Sequence, residues 1–251
     1  MSARPLLTRL LYAARDLRSR ALFAALREHC RGQVLDVGGG EFFTSARARG
    51  ARCTRWTTLE TARAGLPERA DPAQTFVVGD GCALPFQDGR FDTVLSIQVL
   101  EHVFEPIRMV EELGRVLKPG GTAVLLIPQT STTHLAPHYH GNFSRYWIAA
   151  ALERAGLEPV EHRPLGGVWS SMASHLVYFF LQAARVRGMS DARIRRSALF
   201  WLLLPLQVAW ALVALPVCLV LALGDLQEEP NNHLVVARRR ERLVPRLVTG
   251  D

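Results

Sequence analysis

The chain has 251 residues, of which 49% are hydrophobic and 21% are charged, and its formal net charge is +7. This length and composition exclude a disordered or fibrous protein and predict one large domain or two small ones. The cysteines form no CxxC pair and have no metal-ligand spacing, which predicts reduced thiols in a reducing compartment and excludes a disulfide scaffold; they are Cys30, Cys53, Cys82 and Cys218.

The N-terminal region, residues 1–32, is basic. Apolar residues recur at helical spacing over residues 6–29, and Gly32 is expected to end this helix. Arg9 interrupts the first apolar run, so the region is not typical of a secretory signal. We interpret it as an amphipathic helix that contacts a surface; a transit peptide is the alternative. Arginines cluster here, at residues 184–197 and in the tail, which favours an anionic membrane surface as partner over nucleic acid.

From residue 33 to residue 165 the chain alternates short apolar strands with helices. Strands are expected at residues 33–40, 52–60, 75–80, 91–100, 122–129 and 157–164, and helices at residues 42–50, 105–120 and 143–156. Such alternation predicts an α/β fold with a parallel, doubly wound sheet.

Acidic residues stand at the ends of the first three strands. Asp36 begins an Asp-x-Gly-x-Gly turn with Gly38 and Gly40, which brings backbone close to a ligand at the carboxyl end of a strand. Glu60 ends the second strand, where a carboxylate can accept from both ribose hydroxyls. Asp80 ends the third strand and can accept from an adenine amine. Because no GK[ST] sequence follows the glycines, we predict a nucleoside site without phosphates.

These motifs belong to a longer pattern. The segments "VLDVGGG", "GDGCALPFQDGRFDTVLSIQVLEHVFEPIRMVEELGRVLKPGG" and "LLIP" resemble the class I S-adenosylmethionine-dependent methyltransferases, in particular a methyltransferase type 11-like group with glycan- and lipid-pathway members. The resemblance covers roughly residues 33–165. It implies a Rossmann-like, seven-stranded, mostly parallel sheet with an antiparallel last strand, and S-adenosyl-L-methionine as the cofactor.

The resemblance also implies a set of cofactor-binding positions. Gln98 and Leu100 would border the methionine part and the methyl group, and the Gly81–Cys82 backbone would help hold the adenine. Phe42 departs from the pattern, because the family often has a third glycine there. Carried over by matching position, the cofactor residues are Asp36, Gly38, Gly40, Glu60, Asp80, Gly81, Cys82, Gln98 and Leu100.

A histidine-rich loop, "HLAPHYHGNFSRYW" at residues 134–147, follows the fifth strand. In this fold such a loop overhangs the methyl group, so we expect His138 or His140 to act as a general base toward an acceptor hydroxyl. His102 follows the fourth strand and is expected to face the same pocket. The alternative for all three is a structural role in loops and turns. No metal is expected, because no carboxylate or cysteine lies near the histidines of the 134–147 loop.

Residues 198–223 form an uncharged apolar run that is long enough to cross a bilayer. The pattern "NHLVVARR" at residues 232–239 fits the seventh strand, so the run lies in an insertion between strands six and seven. A single crossing would separate two neighbouring strands and open a sheet edge, so the insertion must leave and return on one side.

Residues 168–186 are expected to form the partner helix of a hairpin with an Arg-rich tip. Pro205 and Pro216 are expected to break the long helix into pieces. Tip arginines oppose burial across a bilayer, which favours a monotopic hairpin in the interface. The alternatives are a buried core or dimer surface, and a spanning hairpin.

These patterns predict a cytoplasmic, peripherally membrane-associated methyltransferase that O-methylates an apolar or lipid-linked acceptor. The alternatives are C-methylation of a quinone-type precursor and a non-catalytic, cofactor-binding scaffold. Its parts are expected to be a basic N-terminal helix at residues 1–32, a methyltransferase core at 33–165, an apolar insertion at 166–230, and a last strand with a basic tail at 231–251.

Overall fold

The computed structural model describes residues 19–63, 71–191 and 193–241, and its centre is a seven-stranded sheet in the order β3-β2-β1-β4-β5-β7-β6. The strands are β1 (Gln33–Val37), β2 (Arg55–Glu60), β3 (Gln74–Val78), β4 (Phe91–Ile97), β5 (Leu117–Pro128), β6 (Leu157–Leu165) and β7 (Asn232–Arg239). The helices are α1 (19–29), α2 (Phe42–Ala48), α3 (Pro106–Val116), α4 (Arg145–Arg154), α5 (Val168–Ala183) and α6 (Ala198–Leu221). The predicted α/β, Rossmann-like fold is confirmed, as is the helical insertion between β6 and β7.

The direction of the strands brings the chain ends of several elements to one edge of the sheet. Strands β1 to β5 are parallel to their neighbours, whereas β7 runs antiparallel to both β5 and β6. Asn232, the first residue of β7, pairs with Pro128 at the end of β5 and with Leu165 at the end of β6. The hairpin of α5 and α6 therefore leaves from, and returns to, the carboxyl edge of the sheet, where such folds bind ligands.

Alternating strand residues build a core on each face of the sheet. Val94 packs with the α3 and α4 side, and its neighbour Leu95 packs with the α1 and α2 side. Both are fully buried. A strand buried on both faces carries apolar residues at successive positions, as β1 does at Val34–Leu35 and β4 at Val94–Leu95.

Among the element boundaries that differ from the predicted ones, two affect the ligand-binding edge. Helix α3 ends at Val116 instead of Pro119–Gly120, because Leu117 pairs with Phe91 and a proline disfavours helix in the residue before it. Strand β4 ends at Ile97, and a 3₁₀ turn follows at Leu100–His102. This turn places the residues after β4 at the ligand-binding edge.

The prediction that Pro205 and Pro216 break the apolar helix is wrong, since α6 is one helix of 24 residues with both prolines inside. Each proline removes one backbone donor, and the remaining helical hydrogen bonds and packing against α5 hold the helix together.

Helix α6 is also not a core helix. The most apolar 18-residue window within residues 198–224 has a mean hydropathy of 2.4 and is 11% buried. Among the described residues, this is the one helix long and apolar enough to cross a membrane. The buried residues of α6 are Ala211 and Cys218. The described residues therefore leave most of this helix uncovered, so burial among them does not explain the apolar run. The predicted helix over residues 6–18 and the basic tail at 242–251 lie outside the described residues.

Candidate active site

The glycine loop after β1 closes tightly over Asp36. Gly38 and Gly40 have φ angles of +72° and +47°, in the left-handed region that favours glycine. A Cβ on Gly39 would lie 2.0 Å from the Asp36 carboxylate. The loop can therefore be built only from residues without side chains, and it presents bare backbone at the ligand-binding edge.

Phe42, at the position where the family often has glycine, begins α2. Its backbone N–H donates to the Gly39 carbonyl at 2.7 Å, and its ring stacks on Phe23 with centroids 5.9 Å apart. Because the ring packs into the α1–α2 core, the substitution leaves the loop itself intact.

Asp36 is fully buried beneath this loop. Neither of its carboxylate oxygens has a partner in full hydrogen-bond geometry among the described residues; the nearby Trp56 indole N–H only partly compensates for the burial. Burial raises the pKa of Asp36 to about 8. An unpaired buried carboxyl under a bare backbone loop is costly in an isolated protein, and it fits a site that a polar ligand completes.

Glu60 ties the loop to the end of β2. Its Oε1 accepts from the Gly40 backbone N–H at 2.7 Å. Within the part of the chain that the structure describes, Oε2 has no such bond and is available to a ribose hydroxyl. Glu60 is half-buried, so its carboxylate is held in place and still reaches solvent.

Asp80 lies beyond the end of β3 in a tight turn. Its Oδ1 accepts from the Cys82 backbone N–H at 2.8 Å, and the residue bridges to Ala83. A Cβ on Gly81 would lie 3.3 Å from Met109 and Val37, so the turn also packs closely on the core. Asp80 itself is exposed, which fits a carboxylate that meets the exocyclic amine of an adenine.

The end of β4 carries a strained residue. Gln98 has a φ of +58°, which is uncommon outside glycine, and its side-chain amide donates to Asn232 Oδ1. Leu100 is buried in the core, so of the two residues predicted to border the methyl group, Gln98 is the one at the surface of the site.

The predicted cofactor residues thus follow neighbouring strands in spatial order. Asp80 and Gln98 lie just beyond β3 and β4, whereas Glu60 and Asp36 lie in the last two residues of β2 and β1. In the sheet these strands are consecutive, in the order β3, β2, β1, β4. A row of acceptors above bare backbone fits an elongated nucleoside. The residues present therefore fit S-adenosylmethionine, which supplies a methyl group already activated on a sulfonium.

A second polar cluster lies beside this row and consists of Glu101, His102 and His134. One ligand atom from each residue lies within 4.8 Å of the others. Glu101 is fully buried, and its oxygens have no hydrogen-bond partner in the described ranges; burial raises its pKa to about 7. Its Oε1 lies 3.9 Å from Nε2 of His102, whose ring meets that of His134 edge-on at 4.9 Å.

Backbone carbonyls orient both rings. Nδ1 of His102 lies 2.5 Å from the His138 carbonyl oxygen, and Nδ1 of His134 lies 2.9 Å from that of Thr132. A carbonyl can only accept, so each Nδ1 carries the proton and each Nε2 presents a lone pair. Burial lowers the pKa of His102, which favours this neutral form.

The structure brings only one of the three predicted bases into the cluster. His102 belongs to it, whereas the side chains of His138 and His140 are exposed. His138 contributes its carbonyl. The His140 backbone N–H donates to the Glu101 carbonyl at 2.7 Å, and its ring packs on Phe104.

The expectation that no carboxylate lies near the histidine loop was wrong, because Glu101 reaches it from the neighbouring strand. Sequence reasoning missed both Glu101 and His134 as site residues. The available signal was topological: the two segments follow β4 and β5, which pair in parallel and end at one edge.

An apolar groove of about 680 Å³ separates α5 from α6. It extends to Thr130, just after β5, whose hydroxyl lies 2.7 Å from that of Ser171. The groove therefore begins at the carboxyl edge that carries the cofactor residues. Its lining comprises Thr130, Val168, Ser171, Met172, His175, Leu176, Phe179, Gln207, Trp210, Ala211, Ala214, Cys218 and Glu229.

The tip of the hairpin, described at residues 184–191 and 193–197, lies against the histidine loop. The Leu135 backbone N–H donates to the Gly188 carbonyl at 2.7 Å, and the Gln182 side chain donates to the Thr133 carbonyl at 3.3 Å. Arg196 donates to the last carbonyls of α5, as suits a cation at a helix C-terminus. The tip is thus held on the side of the catalytic domain.

Fold, cofactor edge and sequence together define a class I S-adenosylmethionine-dependent methyltransferase, and the chain belongs to this family. Residues 35–125 match the family described as a methyltransferase domain. A methyltransferase of Mycolicibacterium gilvum is 34% identical over 73% of this chain and 69% of its own length.

Solved structures agree on the fold. The [4+2]-cyclase SpnF superposes with a TM-score of 0.59 at 18% identity, covering 92% of this chain and 83% of its own. A Burkholderia thailandensis 1,6-didemethyltoxoflavin N1-methyltransferase, solved with S-adenosylhomocysteine, superposes with a TM-score of 0.53 at 15% identity, covering 92% and 84%. S-adenosylmethionine is accordingly the cofactor of this fold.

Proposed function

We propose that the protein transfers a methyl group from S-adenosylmethionine to an oxygen of an apolar or lipid-linked acceptor at a membrane surface. The groove between α5 and α6 is the observation that carries this proposal. It is apolar along its length, and it opens at Thr130 on the edge where the cofactor residues stand. An acceptor with a long apolar part can lie in the groove while its polar end reaches the methyl group.

The main task of the protein in this reaction is to align the acceptor oxygen with the methyl carbon. The acceptor oxygen attacks the methyl carbon, an O–C bond forms and the C–S bond breaks. S-adenosylhomocysteine leaves with the electron pair, and the hydroxyl proton of the acceptor passes to water. Holding the two reactants in line accounts for much of the rate in such a displacement. The strand-end carboxylates fix one reactant, and the groove would fix the other.

The exposed face of α6 supports the membrane setting. Large apolar side chains on a soluble surface in this number mark a surface that meets a partner or a membrane. Those at least 60% exposed include Leu202, Leu206, Trp210, Leu212, Val213 and Val220. The hydrogen bonds between tip and histidine loop favour a helix pair that lies in the interface, since a spanning hairpin would carry the tip away from that loop.

A transfer assay tests the proposal directly. Purified full-length protein is incubated with methyl-labelled cofactor and a membrane extract, and the organic phase is analysed by mass spectrometry. We expect a labelled, O-methylated apolar product. Cofactor binding without any labelled product would instead indicate the scaffold, and a methyl group on carbon would indicate the quinone-type reaction.

A matched pair of variants tests the groove. Ala214→Trp fills it, whereas Val213→Trp adds bulk at the neighbouring, 62%-exposed position outside it. We expect Ala214→Trp to lower turnover of the apolar acceptor while cofactor affinity stays unchanged, and Val213→Trp to leave both near their original values. Equal turnover in the two variants would remove the groove from the acceptor site.

A further inference from the structure

We propose that Glu101, His102 and His134 bind one divalent transition-metal ion beside the cofactor site. The three residues come from the segments that follow β4 and β5, so the site exists only because these strands are neighbours. It requires no assumption about the identity of the methyl acceptor.

The carboxylate is the first observation that points to an ion. Glu101 has no exposed surface, and its oxygens have no hydrogen-bond partner within the residues that the structure describes. A buried carboxylate is expensive unless it is paired or coordinates a metal. No Lys or Arg is paired with it in the described chain; Nε2 of His102 lies 3.9 Å from its Oε1, and a ring nitrogen of His134 lies within 4.8 Å of the carboxylate.

The histidines are the second, independent observation. Each donates its Nδ1 proton to a backbone carbonyl, His102 to that of His138 and His134 to that of Thr132. This is the arrangement in which metal-binding histidines are found, because it fixes the tautomer and aims the Nε2 lone pair at the ion. Two such rings therefore offer two ready nitrogen ligands next to Glu101.

The donor set selects the kind of ion. Two imidazoles and one carboxylate suit Zn²⁺ or a similar first-row ion, whereas Mg²⁺ and Ca²⁺ prefer oxygen ligands throughout. Three protein ligands are typical of an open site, which keeps a fourth position for water or a substrate oxygen. The three ligand atoms now lie within 4.8 Å of one another. Metal–ligand bonds of about 2.0–2.2 Å require shorter distances between these atoms, so the rings and the carboxylate must move closer together by about 1 Å when the ion binds.

Cobalt is a suitable probe, because Co²⁺ replaces Zn²⁺ and absorbs visible light in a site of low coordination number. Tag-free, full-length protein is stripped with a chelator and titrated with Co²⁺, and the stoichiometry is confirmed by elemental analysis. We expect one ion per chain with a visible absorption band. Zn²⁺ should displace the Co²⁺ and bleach the band, whereas Mg²⁺ in excess should not.

Variants assign the ion to the cluster. Glu101→Gln keeps the size of the buried side chain, and His134→Ala lies in a loop; each should weaken Co²⁺ binding by more than the roughly 10–100-fold that loss of an outer partner costs. His140→Ala, a histidine of the same loop outside the cluster, should leave Co²⁺ binding unchanged. Circular dichroism and S-adenosylmethionine affinity report whether each variant is folded.

Failure to bind Co²⁺ or Zn²⁺ at micromolar concentration overturns the proposal, as does equal binding by wild type, Glu101→Gln and His134→Ala. If Glu101→Gln does not fold, the comparison of His134→Ala with His140→Ala decides the matter alone. All of these readouts are independent of methyl transfer, so an unsuitable acceptor cannot be mistaken for a missing ion.

Discussion

The central strands and the α5–α6 hairpin are both strongly apolar, yet they differ completely in what covers them. Val94 and Leu95 of β4 are fully buried between the two helix layers, whereas Leu206 and Val220 of α6 are 68% and 65% exposed. A high content of apolar residues is therefore found in two different environments, one buried and one exposed. In the sheet the apolar side chains are covered by their own chain, whereas in the hairpin the described residues leave most of them exposed.

Polar groups differ between the two regions in the same way. On the sheet, isolated carboxylates follow strand ends in spatial order and bond to local backbone, as Glu60 does to Gly40. On the hairpin, charge gathers at the tip as arginines, most of them exposed. The first arrangement suits one small molecule, and the second suits an extended anionic surface.

Removing the hairpin should have the largest effect, because it should abolish membrane binding while leaving cofactor binding in place. Leu165 pairs with Asn232, so deleting residues 168–230 leaves chain ends that a short turn can join. We expect vesicle binding to be lost, because burying even four exposed Leu or Val side chains contributes roughly 6–12 kcal/mol. Binding of S-adenosylmethionine should stay within about twofold, because Glu60 and Asp80 bond to backbone that the deletion leaves in place.

Flotation with anionic vesicles and calorimetric titration with S-adenosylmethionine measure the two properties. Retained vesicle binding would shift the membrane contact to the N-terminal helix, and lost cofactor binding would show that the two regions are one cooperative unit.

Much of this comparison could be predicted from sequence, because it depends on local patterns. Strand β7 was placed at residues 232–239 correctly, since its apolar run is bounded by polar residues and only one such segment remained for the family's last strand. The strand-end acids were found because Asp36, Glu60 and Asp80 each stop a strand pattern.

Features that depend on tertiary contacts were not predicted from the sequence. The continuity of α6 through Pro205 and Pro216 depends on packing against α5, whereas the expectation of a break used a local rule. The meeting of Glu101 with His134 depends on which strands are neighbours and on a 3₁₀ turn that replaces the predicted end of β4. Periodicity carries no information about either.

Asp36 tests how much folding stability the protein loses by burying a carboxyl group beneath the glycine loop. Its pKa is about 8 in the folded protein, raised from the ordinary value of 3.8 that applies to the unfolded chain, so its contribution to stability is complete below pH 3.8 and is lost as the pH rises toward 8. Each pH unit in that window removes about 1.4 kcal/mol. Relative to wild type, Asp36→Asn should therefore gain about 3 kcal/mol between pH 5 and pH 7.

Urea unfolding of both proteins without cofactor at several pH values gives this difference. Because all other groups titrate in both proteins, they cancel in the comparison. A difference independent of pH would mean that Asp36 is paired and ionised in solution.

Glu60 and Asp80 test the assignment of the strand ends to the cofactor. Replacing either by alanine removes a charged acceptor and should cost about 1.5–3 kcal/mol, a tenfold to hundredfold loss of S-adenosylmethionine affinity. Glu158→Ala removes an exposed carboxylate at the opposite edge of the sheet and serves as the control. Calorimetry should show unchanged affinity in the control; the same result in both Glu60→Ala and Asp80→Ala would refute the assignment.

Replacing arginines at the hairpin tip should have the smallest effect of these changes, and it tests whether the tip contributes to membrane binding. Arg187 and Arg195 are exposed, whereas Arg196 is held by the end of α5 and Arg193 by Asp191. Near an anionic surface each basic residue contributes about 1 kcal/mol, so Arg187→Gln with Arg195→Gln should weaken binding to anionic vesicles by roughly 2 kcal/mol, about thirtyfold. The loss should shrink at high salt, because exposed charges are screened within about 8–10 Å near physiological ionic strength.

The matched control removes two exposed arginines before and at the start of β2, Arg52 and Arg55, on the edge far from the hairpin. If the control weakens binding as much as the tip variant, total charge and not the tip determines association, and the hairpin contributes only its apolar face.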